Sequence, residues 1–264
     1  MHSTGEVNML FVIDVGNTNI KLGIFEGNLL KETWKLSTSL RRTSDEYGEM
    51  ILGLMERKSI MPSDISGAVI CSVVPPLLQT FIDISERCFN EMPVVIRAGI
   101  KTGINLLVDN PEEVGPDRVA NAVATYKLYE CPSIVIDLGT AITFDIVSEK
   151  GDYLGGAIVP GVNIASEALF TNTAVLPKIE LTIPERVIGK NTVSAVQSGL
   201  LFGYTELING MIQRIKREIG EKTTVIATGG QSNLFPELQV DVIDPDMTLK
   251  GLKILYDINR GGKW

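Results

Sequence analysis

Apolar residues in this chain fall into short runs, each stopped by a polar turn. The first run, Leu10-Phe11-Val12-Ile13, breaks into Asp14-Val15-Gly16-Asn17-Thr18 and resumes as Ile20-Lys21-Leu22-Gly23-Ile24-Phe25. Such a run, turn and run predict a buried strand and a returning strand. The plan recurs near the middle of the chain. Ser133-Ile134-Val135-Ile136 leads into Asp137-Leu138-Gly139-Thr140, and Ile142 to Val147 returns. Both copies read apolar, apolar, Asp, apolar, Gly. A repeat on that scale predicts two similar halves rather than a short-period solenoid.

The remaining pattern alternates strands with helices. Leu29 to Leu36 predicts a third strand. Thr43 and Glu46 have capping-box spacing ahead of an apolar stripe at Tyr47, Ile51, Leu54 and Met55, which predicts a helix. Gly67 to Val73 reads as a buried parallel strand that packs Cys71 as a small hydrophobe. Pro75-Pro76 opens a helix to about Phe89, and Pro93 to Ile96 is a further strand. A helix follows Gly115-Pro116-Asp117-Arg118, and a short one spans Ser166 to Phe170. A long helix is predicted from about Val193 to Ile219, where Gly199 and Gly203 give a close-packing face, either within the chain or against a second copy. Thr223 to Thr228 is a strand ending in Gly229-Gly230, and Leu249 to Ile258 closes the chain as a helix.

The turns carry the candidate chemistry. Glycine lets a backbone N–H approach a phosphate, because no Cβ intervenes. Asn17 and Thr18 add donors, and Asp14 is a hard oxygen ligand of the kind Mg²⁺ accepts through water. The paired turns favour a nucleotide held between two lobes, and Gly229-Gly230 can seat a flat adenine or a ribose. Gly115 to Arg118 stands at a helix N-terminus, where free N–H groups favour an anion. Asp117 reads equally as a helix cap or as a proton acceptor for a substrate hydroxyl. Its neighbour Arg118 is expected to lower its pKa. Gly189-Lys190-Asn191-Thr192 lacks the earlier glycine and the preceding strand of a Walker loop, and is rejected as one.

Composition narrows the classes. The chain has 264 residues, 44% of them hydrophobic, which excludes a disordered polymer. Its net charge of −8 is the wrong sign for a general nucleic-acid binder. Cys71, Cys88 and Cys131 are far apart, which argues against a zinc site or disulfide framework and fits a reducing cytosol. No apolar run reaches the length of a membrane span. The one histidine, His2, lies in an expected leader over residues 1–8, with Met9 as the natural start. Ser-His-Asp and Cys-His catalysis are therefore excluded, and acid–base work falls to carboxylates.

Asp14-Val15-Gly16-Asn17-Thr18, Gly115-Pro116-Asp117-Arg118, Asp137-Leu138-Gly139-Thr140 and Thr228-Gly229-Gly230 occur in that order, with Gly155-Gly156, Pro160-Gly161 and Gly189-Lys190-Asn191-Thr192. Together they resemble type III pantothenate kinases, within the superfamily of acetate and sugar kinases, heat-shock chaperones and actin. The resemblance implies an α/β fold of two similar actin-like (ribonuclease H-like) lobes, each a mixed sheet flanked by helices. The lobes are expected over 9–130 and 131–264. It implies ATP-dependent phosphorylation of pantothenate to 4'-phosphopantothenate, the first step of coenzyme A biosynthesis, in the cytoplasm.

The same resemblance implies the site. Asp14, Val15, Gly16, Asn17, Thr18, Asn19, Ile20 and Lys21 form the first phosphate loop, with Asp14 organising Mg²⁺. Thr140, Gly229 and Gly230 contact ATP, and Asp117 is the general base. Gly115, Pro116, Asp117 and Arg118 hold pantothenate, Asp137 binds K⁺ or ammonium, and Thr192 reaches pantothenate from the partner subunit of a homodimer. ATP beside three aspartates with few lysines gives the extra cation an electrostatic rationale. Where the family often has a tyrosine enclosing pantothenate, this chain has Val108. Two alternatives stay open: another small-molecule kinase of the superfamily, or a non-enzymatic regulatory homologue.

Overall fold

The computed structural model describes residues 8–260 except Pro236. The expected leader, His2 included, lies outside the described residues apart from Asn8. The described chain forms two compact units. The first comprises the residues up to Gly103, Asp109–Ala124 and those from Thr248 onward; the second comprises Ile104–Val108 and Thr125–Met247. A single cut at 130/131 allots 104–108, 125–130 and the last helix differently.

In the first unit the hairpin predicted from the opening run forms β1 (Met9–Val15) and β2 (Asn19–Glu26), followed by β3 (Leu29–Ser37). After α1 (Ser44–Glu56) come β4 (Ile65–Ser72), α2 (Pro75–Phe89) and β5 (Val94–Ile96). The sheet order is β3-β2-β1-β4-β5. β1 runs antiparallel to β2 and parallel to β4. Alternation along β1 sends Phe11, Ile13 and Val15 into one core with Ala68 and Ile70 of β4, Tyr47, Ile51 and Met55 of α1, and Leu77, Phe81 and Ile84 of α2. The capping box of α1 forms as its spacing predicts: Thr43 N donates to Glu46 Oε2 at 2.7 Å, and Glu46 N donates to Thr43 Oγ1 at 3.3 Å.

Asp14 and Cys71 are register partners on the opposite face of that sheet. There Gly67 and Gly23 admit Tyr256 and Leu249 of α6 (Met247–Arg260), since an added Cβ would stand 2.0 Å from Tyr256 OH and 3.1 Å from Leu249 Cδ1. α3 (Pro116–Leu128) crosses α6 at Gly251, where a Cβ would fall 2.0 Å from the Ala120 carbonyl oxygen. Thr248 Oγ1 donates to buried Asn121 Oδ1 at 2.9 Å beside the crossing.

The second unit repeats the plan with β6 (Ser133–Leu138), β7 (Ala141–Val147), β8 (Tyr153–Pro160), β9 (Thr224–Thr228) and β10 (Val242–Ile243). Its order is β10-β9-β6-β7-β8. β6 runs antiparallel to β7 and parallel to β9, as β1 does to β2 and β4. The segment that holds the Gly155-Gly156 and Pro160 motif residues forms strand β8. α4 (Val162–Thr171) is longer than predicted. α5 (Thr192–Ile219) buries Leu200, Leu201, Ile208 and Ile212 against Ile134, Ile136 and Leu138 of β6. Gly199 and Gly203 meet nothing within 4 Å, so among the described residues no element uses them for close packing. No helix is long and apolar enough to cross a membrane among the described residues.

Two glycines separate close approach from spare helix propensity. Gly251→Ala is expected to lower stability by about 1–3 kcal/mol, because the α3 backbone must retreat. Gly53→Ala, inside α1 with nothing within 4 Å, is expected to raise it by about 0.5–1 kcal/mol. Urea unfolding of the two variants checks both signs.

Candidate active site

The first turn is built by its own backbone. Gly16 N donates to Asn19 O at 3.0 Å, Thr38 N to Thr18 O at 3.0 Å, and Thr38 Oγ1 to Gly16 O at 2.6 Å. A Cβ on Gly16 would stand 2.8 Å from Asn19 O, so the turn closes only around glycine. The side chains of Asn17 and Thr18 are exposed, while Val15 and Ile20 are buried in the core. Asp14, half-buried, sits at the mouth of the turn, and Lys21 is its register partner across the hairpin.

Asp117 joins Asp14 in the first unit. Both carboxylates lie close enough to act electrostatically on the thiol of Cys71. Cys71 is fully buried, as expected of a small hydrophobe in a buried strand, and it also stands within electrostatic reach of these two acids. Burial first, then Asp14 and Asp117, push its pKa well up, so the thiol stays neutral beside them. The only available signal in the sequence is its parallel position beside Asp14, which requires knowing the strand register.

Asp117 is the second residue of α3, not its cap. The Gly115 carbonyl accepts the first helical bond, from Val119 N at 3.1 Å. The Asp117 carboxylate folds back over the helix end, where Oδ1 accepts from Arg118 N at 2.9 Å. This is possible because residue 115 is glycine: a Cβ there would stand 2.5 Å from Asp117 Oδ1. The expected lowering of the Asp117 pKa is overturned. Burial raises it, outweighing the backbone N–H groups of Arg118 and Asp117 and the Arg118 charge, which all act the other way. Pro116 opens the helix with its fixed φ, and Arg118 is half-buried.

In the second unit Asp137, Thr140, Gly229 and Gly230 come together at the ends of β6 and β9. Asp137 and Thr228 are parallel register partners, the positions that Asp14 and Cys71 occupy in the first unit. Gly229 adopts φ +94°, and an added Cβ would stand 2.5 Å from Asp137 Oδ1 and 2.6 Å from Leu138 N. Gln231 N donates to Leu138 O at 3.1 Å, and Gly161 N to Thr140 O at 3.0 Å. Thr192 is exposed at the first position of α5, whose N-terminus Asn191 caps through Ser194 N at 2.9 Å. Val108 packs near Gly155, 3.5 Å from where a Cβ would stand.

Among the described residues, two buried side-chain polar atoms lack any hydrogen-bond partner, Thr228 Oγ1 and Gln231 Oε1. Thr228 ends β9, and Gln231 lies in the loop that follows and packs on Asp137 through Gly229. A buried oxygen left unpaired costs free energy. Thr228 figures in the sequence only as part of the Thr228-Gly229-Gly230 motif, and Gln231 carries no sequence signal.

Comparison with known proteins agrees with this architecture. A sequence model of the type III pantothenate kinase family matches residues 10–214. A type III pantothenate kinase of Dehalococcoides mccartyi (strain 195) is 46% identical, over 95% of this chain and 98% of its own length. One from Bacillus cytotoxicus is also 46% identical, over 95% and 97%. Among solved structures, a conserved putative Baf family transcriptional activator from Campylobacter jejuni superposes with TM-score 0.58 at 18% identity, covering 95% of this chain and 99% of its own. Component A of (R)-2-hydroxyglutaryl-CoA dehydratase from Acidaminococcus fermentans gives 0.53 at 14%, covering 97% and 99%. At those identities the two structures speak for the actin-like fold alone. Family match, near-full-length identity and a doubled sheet with an acid at each strand end converge: the chain belongs to the type III pantothenate kinases, phosphotransferases that act on pantothenate in coenzyme A biosynthesis.

Proposed function

We propose that this chain transfers the γ-phosphoryl group of ATP to the primary hydroxyl of pantothenate, with Asp117 as general base. The observation that carries the reading is the convergence of Asp14 and Asp117 on one buried thiol beside a glycine turn. Asp117 takes the hydroxyl proton as the oxygen bonds to the γ-phosphorus; the bond to the bridging β–γ oxygen breaks and ADP leaves. Its raised pKa makes it a stronger base than an exposed aspartate. Gly115, Pro116 and Arg118 hold pantothenate, Arg118 through a charge-assisted contact with its carboxylate.

The turn from Val15 to Lys21 receives the ATP phosphates through its N–H groups and the exposed Asn17 and Thr18, with Asn19 and Ile20 anchoring the return strand. Thr140, Gly229 and Gly230 complete the nucleotide contacts. Asp14 fits Mg²⁺ as a hard oxygen donor at the turn's mouth and would hold it through water. Asp137 fits K⁺ or ammonium as a hard oxygen donor at the end of β6, under the Gly229 loop. Mg²⁺ supplies charge neutralisation to the phosphates, and the monovalent cation supplements it.

We further propose a cytoplasmic homodimer in which Thr192 reaches the partner's pantothenate. Support comes from the open glycines of α5 and from Val187, Ile188 and Val193, which leave apolar surface around its start.

Purified protein is expected to release ADP only when pantothenate, Mg²⁺ and K⁺ or ammonium are all present, and a panel of sugars and small acids is expected to be inert. Asp117→Asn should lose about 100-fold or more in kcat while keeping its melting temperature and ATP binding; unchanged turnover would reject it as the base. Gly115→Ala should push the Asp117 carboxylate off the helix end, lowering kcat with little change in stability, which calorimetry beside the kinetics will show. The acid limb of the kcat/KM profile should lie above the ordinary aspartate range. A base works only when ionised, so activity falls as pH drops through the raised Asp117 value, and a pH–rate profile reads that limb directly.

A further inference from the structure

Thr38 belongs to no sequence motif, yet it holds the first turn from outside. It is the residue that follows β3, and it grips the hairpin with two bonds. Its N–H donates to Thr18 O at 3.0 Å, and its Oγ1 donates to Gly16 O at 2.6 Å. The gripping segment is itself braced. Fully buried Tyr47 of α1 accepts from Ser39 N at 2.8 Å through its hydroxyl, which shares its own proton between Ser39 O at 3.2 Å and Ser37 O at 3.3 Å. Arg42 Nη1 also donates to Ser37 O, at 3.2 Å.

The second unit shows what the threonine adds. The residue that follows β8, Gly161, likewise donates its N–H to the turn, to Thr140 O at 3.0 Å. A Cβ on Gly161 would stand 2.5 Å from Gly139 O, the counterpart of Gly16 O in the repeated Asp-x-Gly plan. The backbone bond is thus kept in both units, and a hydroxyl is set on the glycine carbonyl only in the first.

A trans peptide points its C=O and its N–H in opposite directions. Among the described residues the cis peptide is Cys131–Pro132, so the Gly16–Asn17 peptide is trans. With Gly16 O held on Thr38, Asn17 N–H points away from Thr38. Asn17 is exposed, and among the described residues its N–H has no protein acceptor, so it is available to a ligand. Gly16 has no Cβ to restrain rotation of this peptide plane, which leaves the Thr38 hydroxyl to fix it. We infer that Thr38 is a positioning residue for phosphoryl transfer: its hydroxyl locks the Gly16–Asn17 peptide so that Asn17 N–H is presented to an ATP phosphate. The inference rests on the proposed phosphate role of this turn and adds the group that aims it. Thr38 acts through the turn, not by touching the nucleotide.

The test measures binding of ADP and of adenosine to the full chain by titration calorimetry, beside steady-state kinetics. Thr38→Val keeps the shape and loses the donor; Thr38→Ser keeps the donor. The native protein should bind ADP more tightly than adenosine. Thr38→Val should weaken ADP at least about tenfold, leave adenosine unchanged, and raise the KM for ATP but not that for pantothenate. Thr38→Ser should bind ADP as the native protein does. A valine variant that loses ADP and adenosine alike, or a serine variant no better than valine, would overturn the inference. Crystals of the native protein with ADP decide independently of how the variants fold. Asn17 N on a phosphate oxygen, with Gly16 O still on Thr38, supports the lock; a flipped peptide, or phosphates held elsewhere, removes it. A native preference for ADP that Thr38→Val retains in full sinks this inference alone. A native protein that binds ADP no better than adenosine sinks the phosphate reading of the turn, and the inference with it.

Discussion

Parallel pairing of β1 with β4, and of β6 with β9, is the constraint on which the structure depends. It sets an aspartate at the end of a buried strand and a small residue directly beside it, Cys71 in one unit and Thr228 in the other. The apolar alternation that buries Phe11, Ile13 and Val15 on one face forces Asp14 to the opposite face. A slip of one residue would turn the acids into the core and the core into solvent. Hydrophobic burial thus fixes where the charge stands, and the same argument holds for Ile134, Ile136 and Leu138 with Asp137.

Glycine provides the second constraint, through the atoms it omits. Gly115 lets the Asp117 carboxylate fold onto its own helix, Gly229 lets a loop close on Asp137, and Gly251 lets α6 touch the backbone of α3. Positions of this kind couple local chain geometry to chemistry. The backbone approaches as closely as it does only because nothing projects from it, and the polar groups then find their distances. Gly53 in α1, with open space around it, shows that the demand is specific to these sites.

The two units also show how a duplicated plan diverges. Both keep the order of hairpin, third strand and parallel neighbour. In the first, the site is completed by α3, which brings a second acid to Asp14. In the second, a glycine loop closes on Asp137 through Gly229.

Much of this was legible along the chain. Strand runs, the capping box at Thr43 and Glu46, the Asp-x-Gly repeat and the ordered motifs follow from local periodicity and spacing, which need no knowledge of distant neighbours. They determined the fold class, the family and the identity of the acids. What only the tertiary structure decided were properties set by residues remote in sequence. The raised pKa of Asp117 comes from burial, which overcame the neighbouring Arg118 charge that sequence proximity favoured. The face taken by Cys71 depends on strand register, and the unpaired oxygens of Thr228 and Gln231 depend on how one loop closes over β6. Desolvation and hydrogen-bond satisfaction are sums over everything nearby in space, so a one-dimensional pattern names the groups without deciding their state.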